Sequence, residues 1–242
     1  MSFFKVFSLK WIYDNRNPDS VSNKLRRRRL NLLVFWLKKE VLPGNYRNDF
    51  SILDLGGTEL FWHIHGSAIQ NQIGRNLSVT IVNNNVIGSR SLDTEKLQIS
   101  VGNGDARNLE GFSAGHFDLI FSNSVIEHVG TFDEQKKMAD EIKRVGKFHF
   151  VQTPNPLFPI EPHFHVPFWV FLPEGIKIWL LTHFSLGWYP KQGSKIDALN
   201  EVKSINLIPL KKFRILFQSS VIKHEKIFGI SKSFIAIGKG SN

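Results

Sequence analysis

Apolar residues recur along the chain in two distinct rhythms. Leu25, Leu30, Leu33, Val34, Leu37 and Val41 are spaced by three and four, which predicts one helix over 22–41. Arg26 to Arg29 and Lys38-Lys39 fill solvated positions around that stripe, and Pro43-Gly44 stops it. The rhythm then changes to short apolar runs closed by small or polar residues. Ser51 to Leu55 ends in Gly56-Gly57, Leu77 to Val82 in three asparagines, Leu97 to Val101 in Gly102-Asn103-Gly104-Asp105, and Phe117 to Phe121 in Ser122-Asn123-Ser124. Phe148 to Gln152 is a fifth such run, ended by Pro154. Each predicts a strand buried on both faces. Between them, residues 59–72 read as a helix across Gly66, and Asp133 to Val145 as a helix capped by Asp133, with Met138, Ile142 and Val145 facing inward. Beyond residue 153 the alternation breaks. Residues 154–195 are rich in proline and aromatics, 207–217 predict a short helix, and 221–228 and 233–237 predict two closing strands around Gly229. Residues 1–20 read as irregular, with Asn15, Asn17 and Pro18 as turn formers.

Apolar strands alternating with helices indicate an α/β fold with a mostly parallel sheet covered on both faces. Ligands in such folds bind beyond the carboxyl ends of the strands. Here those ends carry Asp54, Gly56 and Gly57, then Asn83, Asp105, Ser122 with Asn123, and Thr153 with Asn155. Glycine at the first tip lets the backbone pass close to a ligand. The dinucleotide fingerprint G-x-G-x-x-G is not matched by Gly56-Gly57-Thr58-Glu59, and Glu59 would repel a pyrophosphate at the helix start. A ligand without phosphate is therefore expected.

Composition narrows the chemistry. The chain of 242 residues has no cysteine, which excludes disulfides, cysteine zinc sites and a cysteine nucleophile. Its net charge of +10 is uneven: residues 1–47 hold 11 Lys and Arg against three acids, so +8 of it lies there. Residues 1–47 are accordingly expected to form a basic segment and helix on a domain spanning 48–242, with 154–212 as an aromatic-rich elaboration. Met1 to Trp11 lacks a small-residue cleavage site, and the apolar stretch Phe164 to Trp188 is cut by Pro167, Pro173, Glu174, Lys177 and His183. The expectation is a cytoplasmic protein with neither a secretion signal nor a membrane span. Peripheral membrane contact through the aromatic segment or the basic helix is a further expectation. No nucleic-acid motif accompanies the basic run, so nucleic acid is not an expected partner.

Three stretches resemble the class I S-adenosylmethionine-dependent methyltransferases, and specifically their type 11 branch. They are Ile52-Leu53-Asp54-Leu55-Gly56-Gly57-Thr58, then Gly104-Asp105-Ala106, then Phe117 through Ser122-Asn123-Ser124-Val125-Ile126-Glu127-His128-Val129. The resemblance runs from about residue 50 to 155, with an echo in the closing strands. It implies a Rossmann-like seven-stranded sheet with the last strand antiparallel, and S-adenosylmethionine as cofactor. It further implies that Asp54, Gly56 and Gly57 lie against the methionine part, that Asn83 bonds the ribose hydroxyls, and that Asp105 and the Ala106 N–H bind adenine. Ser122 and Asn123 would lie beneath the sulfonium, and His128 near the reactive end. Two positions depart from the family pattern: Thr58 replaces a glycine, and Asn83 replaces an acid.

In this fold the loop after the fifth strand borders the acceptor. It carries Glu161, His163 and His165, which with His128 are the candidate catalytic groups for removing a hydroxyl proton. No distant further ligand is evident for a metal, so none is expected. The expected activity is methyl transfer to a small-molecule, sugar or lipid-linked acceptor, with an O-methyltransferase as the first reading. A non-catalytic scaffold on a degenerate methyltransferase fold, and a membrane- or RNA-associated protein using the basic helix, are the alternatives.

Overall fold

The computed structural model describes residues 20–44, 47–84, 90–93 and 97–241. The segment read as irregular, 1–20, lies outside the described residues apart from Ser20. Ser20 caps helix α1 (Val21–Trp36) by accepting a hydrogen bond from the Asn23 N–H at 3.2 Å. The stripe that predicts one helix to residue 41 continues as a wider π turn over Leu37–Val41, which keeps Leu37 and Val41 buried, and then a 3₁₀ turn over Leu42–Gly44.

Each apolar run forms a strand: β1 (Asp49–Leu55), β2 (Asn76–Asn83), β4 (Leu97–Asn103), β5 (Phe117–Asn123) and β6 (Gly146–Pro154). The closing strands are β7 (Val221–Ile227) and β8 (Ile230–Lys239). These seven form the expected mixed sheet, and an edge strand of four residues, β3 (Arg90–Asp93), adds an eighth. The order is β3-β4-β2-β1-β5-β6-β8-β7. Strand β5 is parallel to β1 and to β6, whereas β8 runs antiparallel to both its neighbours. Phe228 and Gly229, both at positive φ, form the two-residue turn that reverses β7 into β8. The register places Leu55 beside Ser122 and Asn123 beside Gln152, so the polar tips of β1, β5 and β6 lie side by side. At the other end of these strands, Asp118 binds the Ser51 N–H and hydroxyl and the Lys147 ammonium at 2.9–3.0 Å. Burial works against the Asp118 charge, but these partners outweigh it and hold the carboxyl below its ordinary range.

The chain divides into two compact units, one of residues 1–50, 58–79 and 91–99, the other of 51–57, 80–90 and 100–242. In the first, helix α2 (Glu59–Ile73) is capped by Thr58, whose hydroxyl accepts from the Phe61 N–H. That cap gives a physical reason for threonine where the methyltransferase pattern has glycine. In the second, helix α3 (Phe132–Val145) buries Met138, Ala139, Ile142 and Val145 in a core shared with Ile120, Val151 and Phe213. Its cap is Thr131, not Asp133: Thr131 and Glu134 form a reciprocal capping box. The region after β6 holds helices α4 (Glu174–His183) and α5 (Lys195–Lys203), with a separate small core of Phe164, Trp169, Leu181 and Ala198. Helix α6 (Leu210–Leu216) is shorter than the pattern over 207–217 implies, because Pro209 sets its start.

Candidate active site

Every residue singled out above for cofactor or catalysis lies in the second unit. At the tip of β1 the chain turns through Gly56 at φ +73°, a conformation that favours glycine, and the Gly56 N–H donates to the Val82 carbonyl at 2.8 Å. A Cβ at Gly56 would run into Val125, and one at Gly57 into the carboxylate of Asp54, which is itself buried. Both glycines therefore let the side chains of Val125 and Asp54 pack directly against the turn. Asn83 closes the same corner: its amide donates to the Gly57 carbonyl at 2.6 Å, and its own carbonyl accepts from the Gly104 N–H.

Asp105 follows β4 and is gripped by Arg107, whose Nε and Nη2 approach its two oxygens at 2.7–3.0 Å. That hydrogen bonding holds the Asp105 carboxyl below its ordinary range and outweighs its partial burial. Arg107 also reaches Glu134 at 2.7 Å and the Val129 carbonyl at 3.2 Å, so one guanidinium ties the tip of β4 to the start of α3. Ala106, between them, packs against the core. The Arg107 backbone N–H also donates to Oδ1 at 2.9 Å, so each Asp105 oxygen accepts two hydrogen bonds from Arg107.

At the tip of β5, Ser122 is fully buried and its hydroxyl has no hydrogen-bond partner. Asn123 is half-buried beside it. Ser124 takes a positive φ of 57° and binds Gln152 with both its N–H and its hydroxyl, fastening the turn to β6. The chain then enters a 3₁₀ turn, Ile126–His128. Glu127 is wholly buried there; one oxygen accepts from Thr153 at 3.1 Å and the other, Oε1, has no partner. Burial pushes its carboxyl up to about 7.

His128 meets the loop after β6. Its Nε2 faces Nε2 of His163 at 3.1 Å, and Nδ1 of His163 contacts Oε1 of the buried Glu161 at 2.6 Å. Glu161 also accepts the N–H groups of His163 and Phe164. Although the residue as a whole is exposed, desolvation of its ring lowers His128 to about 4, with repulsion from His163 adding to it. Burial lowers His163 too, but the hydrogen bond to Glu161 and the charges of Glu161 and Glu127 outweigh it, and the net direction is upward.

Of the four catalytic candidates, the structure joins His128, His163 and Glu161 in one line. His165 stands apart from it, packed against Trp188 with ring centres 5.7 Å apart. Glu127 and Arg107 were not singled out as site residues. Glu127 stands next to His128 within the resembling stretch, yet only the fold reveals its burial. Arg107 is two residues from Asp105 and shows no periodic signal.

The fold is the doubly wound sheet of the class I methyltransferases, and the comparisons agree. Residues 67–148 match the family described as methyltransferase domain. Magnesium protoporphyrin IX methyltransferase of Synechocystis, solved with bound SAH, has a TM-score of 0.50 at 13% identity, covering 100% of this chain and 90% of that one. A possible exported protein of Bordetella parapertussis has a TM-score of 0.51 at 11% identity, covering 90% and 69%. Two uncharacterized proteins of Mycobacterium tuberculosis are each 38% identical over 55 residues, 23% of this chain and 19% of their own length. Residues 67–148 are thus similar to a methyltransferase domain, and the fold is one that solved methyltransferases share. Among the described residues no helix is long and apolar enough to cross a membrane.

Proposed function

We propose that the protein transfers a methyl group from S-adenosylmethionine to a hydroxyl of a small molecule or glycan. The cofactor would lie across the strand tips, with Asp54, Gly56 and Gly57 against its methionine, Asn83 at the ribose, Asp105 and Ala106 at adenine, and Ser122 and Asn123 beneath the sulfonium. The partnerless buried hydroxyl of Ser122 suits that occupant. The cofactor supplies an activated methyl group; the protein supplies position and a water-poor pocket.

The observation that carries the acceptor assignment is the Glu161–His163–His128 line beside the tip of β5, with His128 as its exposed end. In the step, the acceptor oxygen forms the O–C bond as the C–S bond breaks, the electron pair stays on sulfur, and the hydroxyl proton leaves to the His128 end. Residues 154–212 would form the acceptor side, and the exposed Phe168, Phe171 and Trp179 suit a lipid-linked acceptor or peripheral membrane contact. The test is label transfer from methyl-labelled cofactor to a panel of hydroxylated small molecules and glycans, with product mass and position read out. An O-methyl product lost in His128→Ala supports the reading; methylation only at carbon or nitrogen overturns the acceptor assignment. Binding without turnover is the second reading, and Arg107 favours it by occupying Asp105. S-adenosylhomocysteine binding with no product across the whole panel would point that way.

A further inference from the structure

Two histidines that face each other nitrogen to nitrogen need something between them. In His163, Nδ1 is committed to the Glu161 carboxylate, which leaves Nε2 directed at His128. In His128, Nε2 faces His163. The His163 ring is thus held from behind by a carboxylate. That is how ligand histidines are commonly fixed, with the far nitrogen on a carboxylate or carbonyl and the near lone pair presented to an ion.

The distances suit an ion. With metal–nitrogen bonds of about 2.0–2.1 Å, two nitrogens 3.1 Å apart subtend roughly 100° at the metal, between tetrahedral and octahedral cis angles. A third donor is at hand: one ligand atom each from Glu127, His128 and His163 lie within 4.8 Å of one another. Glu127 is wholly buried and its Oε1 has no partner. A proton shared between the imidazoles satisfies the two nitrogens but leaves that oxygen orphaned. A divalent cation satisfies all three, and its charge balances the two buried carboxylates, Glu127 and Glu161.

We propose that Glu127, His128 and His163 hold one divalent first-row transition-metal ion, with Glu161 as the positioning residue behind His163. Two imidazoles and a carboxylate suit zinc, cobalt, iron or manganese better than calcium or magnesium. Three protein ligands leave open positions, and the acceptor oxygen would take one. This role rests on the methyl-transfer reading: the bound ion would replace the shared proton and polarise the acceptor hydroxyl, whose proton would then leave to solvent water, since His128 is held as a ligand. The sequence offered His163 and His165 with Glu161 and no distant ligand; the fold supplies the distant ligands from the segment after β5 and leaves His165 out.

The test uses the full chain, stripped with chelator and titrated with Co²⁺ in the visible region, then with Zn²⁺ in competition. One Co²⁺ per chain with d–d absorption is expected, and His163→Ala and His128→Gln should each abolish stoichiometric binding. Glu161→Gln should keep the stoichiometry but weaken affinity about 10- to 100-fold, the usual cost of losing an outer partner. Circular dichroism confirms that each variant is folded, and the exposed His128 provides the variant least able to disturb packing. Absence of stoichiometric Co²⁺ binding, or binding unchanged in His128→Gln, overturns the site. S-adenosylhomocysteine binding measured on the same samples separates the two readings: cofactor binding without cobalt removes only the metal, and cobalt without cofactor removes only the methyl-transfer account.

Discussion

Gly57→Ala tests the cofactor cradle with a single methyl group. The added Cβ would fall within the van der Waals envelope of the Asp54 carboxylate, a buried group at the tip of β1. The carboxylate must turn away or the glycine turn must shift, and both lie where the methionine part of the cofactor is proposed to rest. Overpacking of this kind costs typically about 1–3 kcal/mol. If that cost is expressed on closing the cofactor into the cup, affinity falls about 5- to 150-fold, since about 1.4 kcal/mol is tenfold. The assay is calorimetric titration of S-adenosylhomocysteine into wild type, Gly57→Ala and Gly111→Ala, with thermal melts of all three. Gly111 is the control because an added Cβ there meets nothing within 4 Å. A folded Gly57→Ala protein that binds within about twofold of wild type would refute the reasoning.

Other consequences concern stability. His149 is buried in β6, contacts the Ser220 hydroxyl at 2.7 Å, and is pushed down to about 4 by burial, with Lys143 adding. The unfolded chain therefore takes up its proton first, near the ordinary value of 6.5, so stability is whole above that value and is lost as pH falls toward 4. Denaturant titrations should show roughly 2 kcal/mol lost on this account between about pH 8 and pH 5, and His149→Phe should flatten that dependence; an unchanged slope would refute it. Arg144 binds Glu141 and the carbonyls of Leu109 and Phe112, bracing the loop after Asp105 against α3. Arg144→Ala should cost about 1–3 kcal/mol in urea unfolding and weaken cofactor binding with it. Thr131→Ala removes the capping box of α3 and should cost about 1 kcal/mol by the same measurement.

What could be read before the structure was whatever the chain encodes locally. Strands β1 and β5 are buried almost end to end, so their apolar runs and polar tips stand out in the sequence. The sheet order follows from the connections, and the gathering of Asp54, Asn83, Asp105 and Ser122 follows from the sheet. Thr131-Phe132-Asp133-Glu134 spells a capping box, so a cap at Thr131 rather than Asp133 is legible in the sequence. Other features are long-range. His128 and His163 are 35 residues apart, and Glu127 meets Thr153 across 26; no spacing rule links them. The aromatics and prolines between residues 154 and 195 serve a private core around Phe164 and Trp169, to which α4 adds Leu181 and α5 adds Ala198. Strand β3 is only four residues long, too short for alternation to show.

Whether the strand tips hold the methyl donor decides the function proposed for this protein. Calorimetric titration of the wild-type full chain with S-adenosylhomocysteine measures this directly. One site per chain is expected, weakened by both Asp105→Ala and Gly56→Val. No binding by a folded wild-type protein, or binding indifferent to both substitutions, would contradict it.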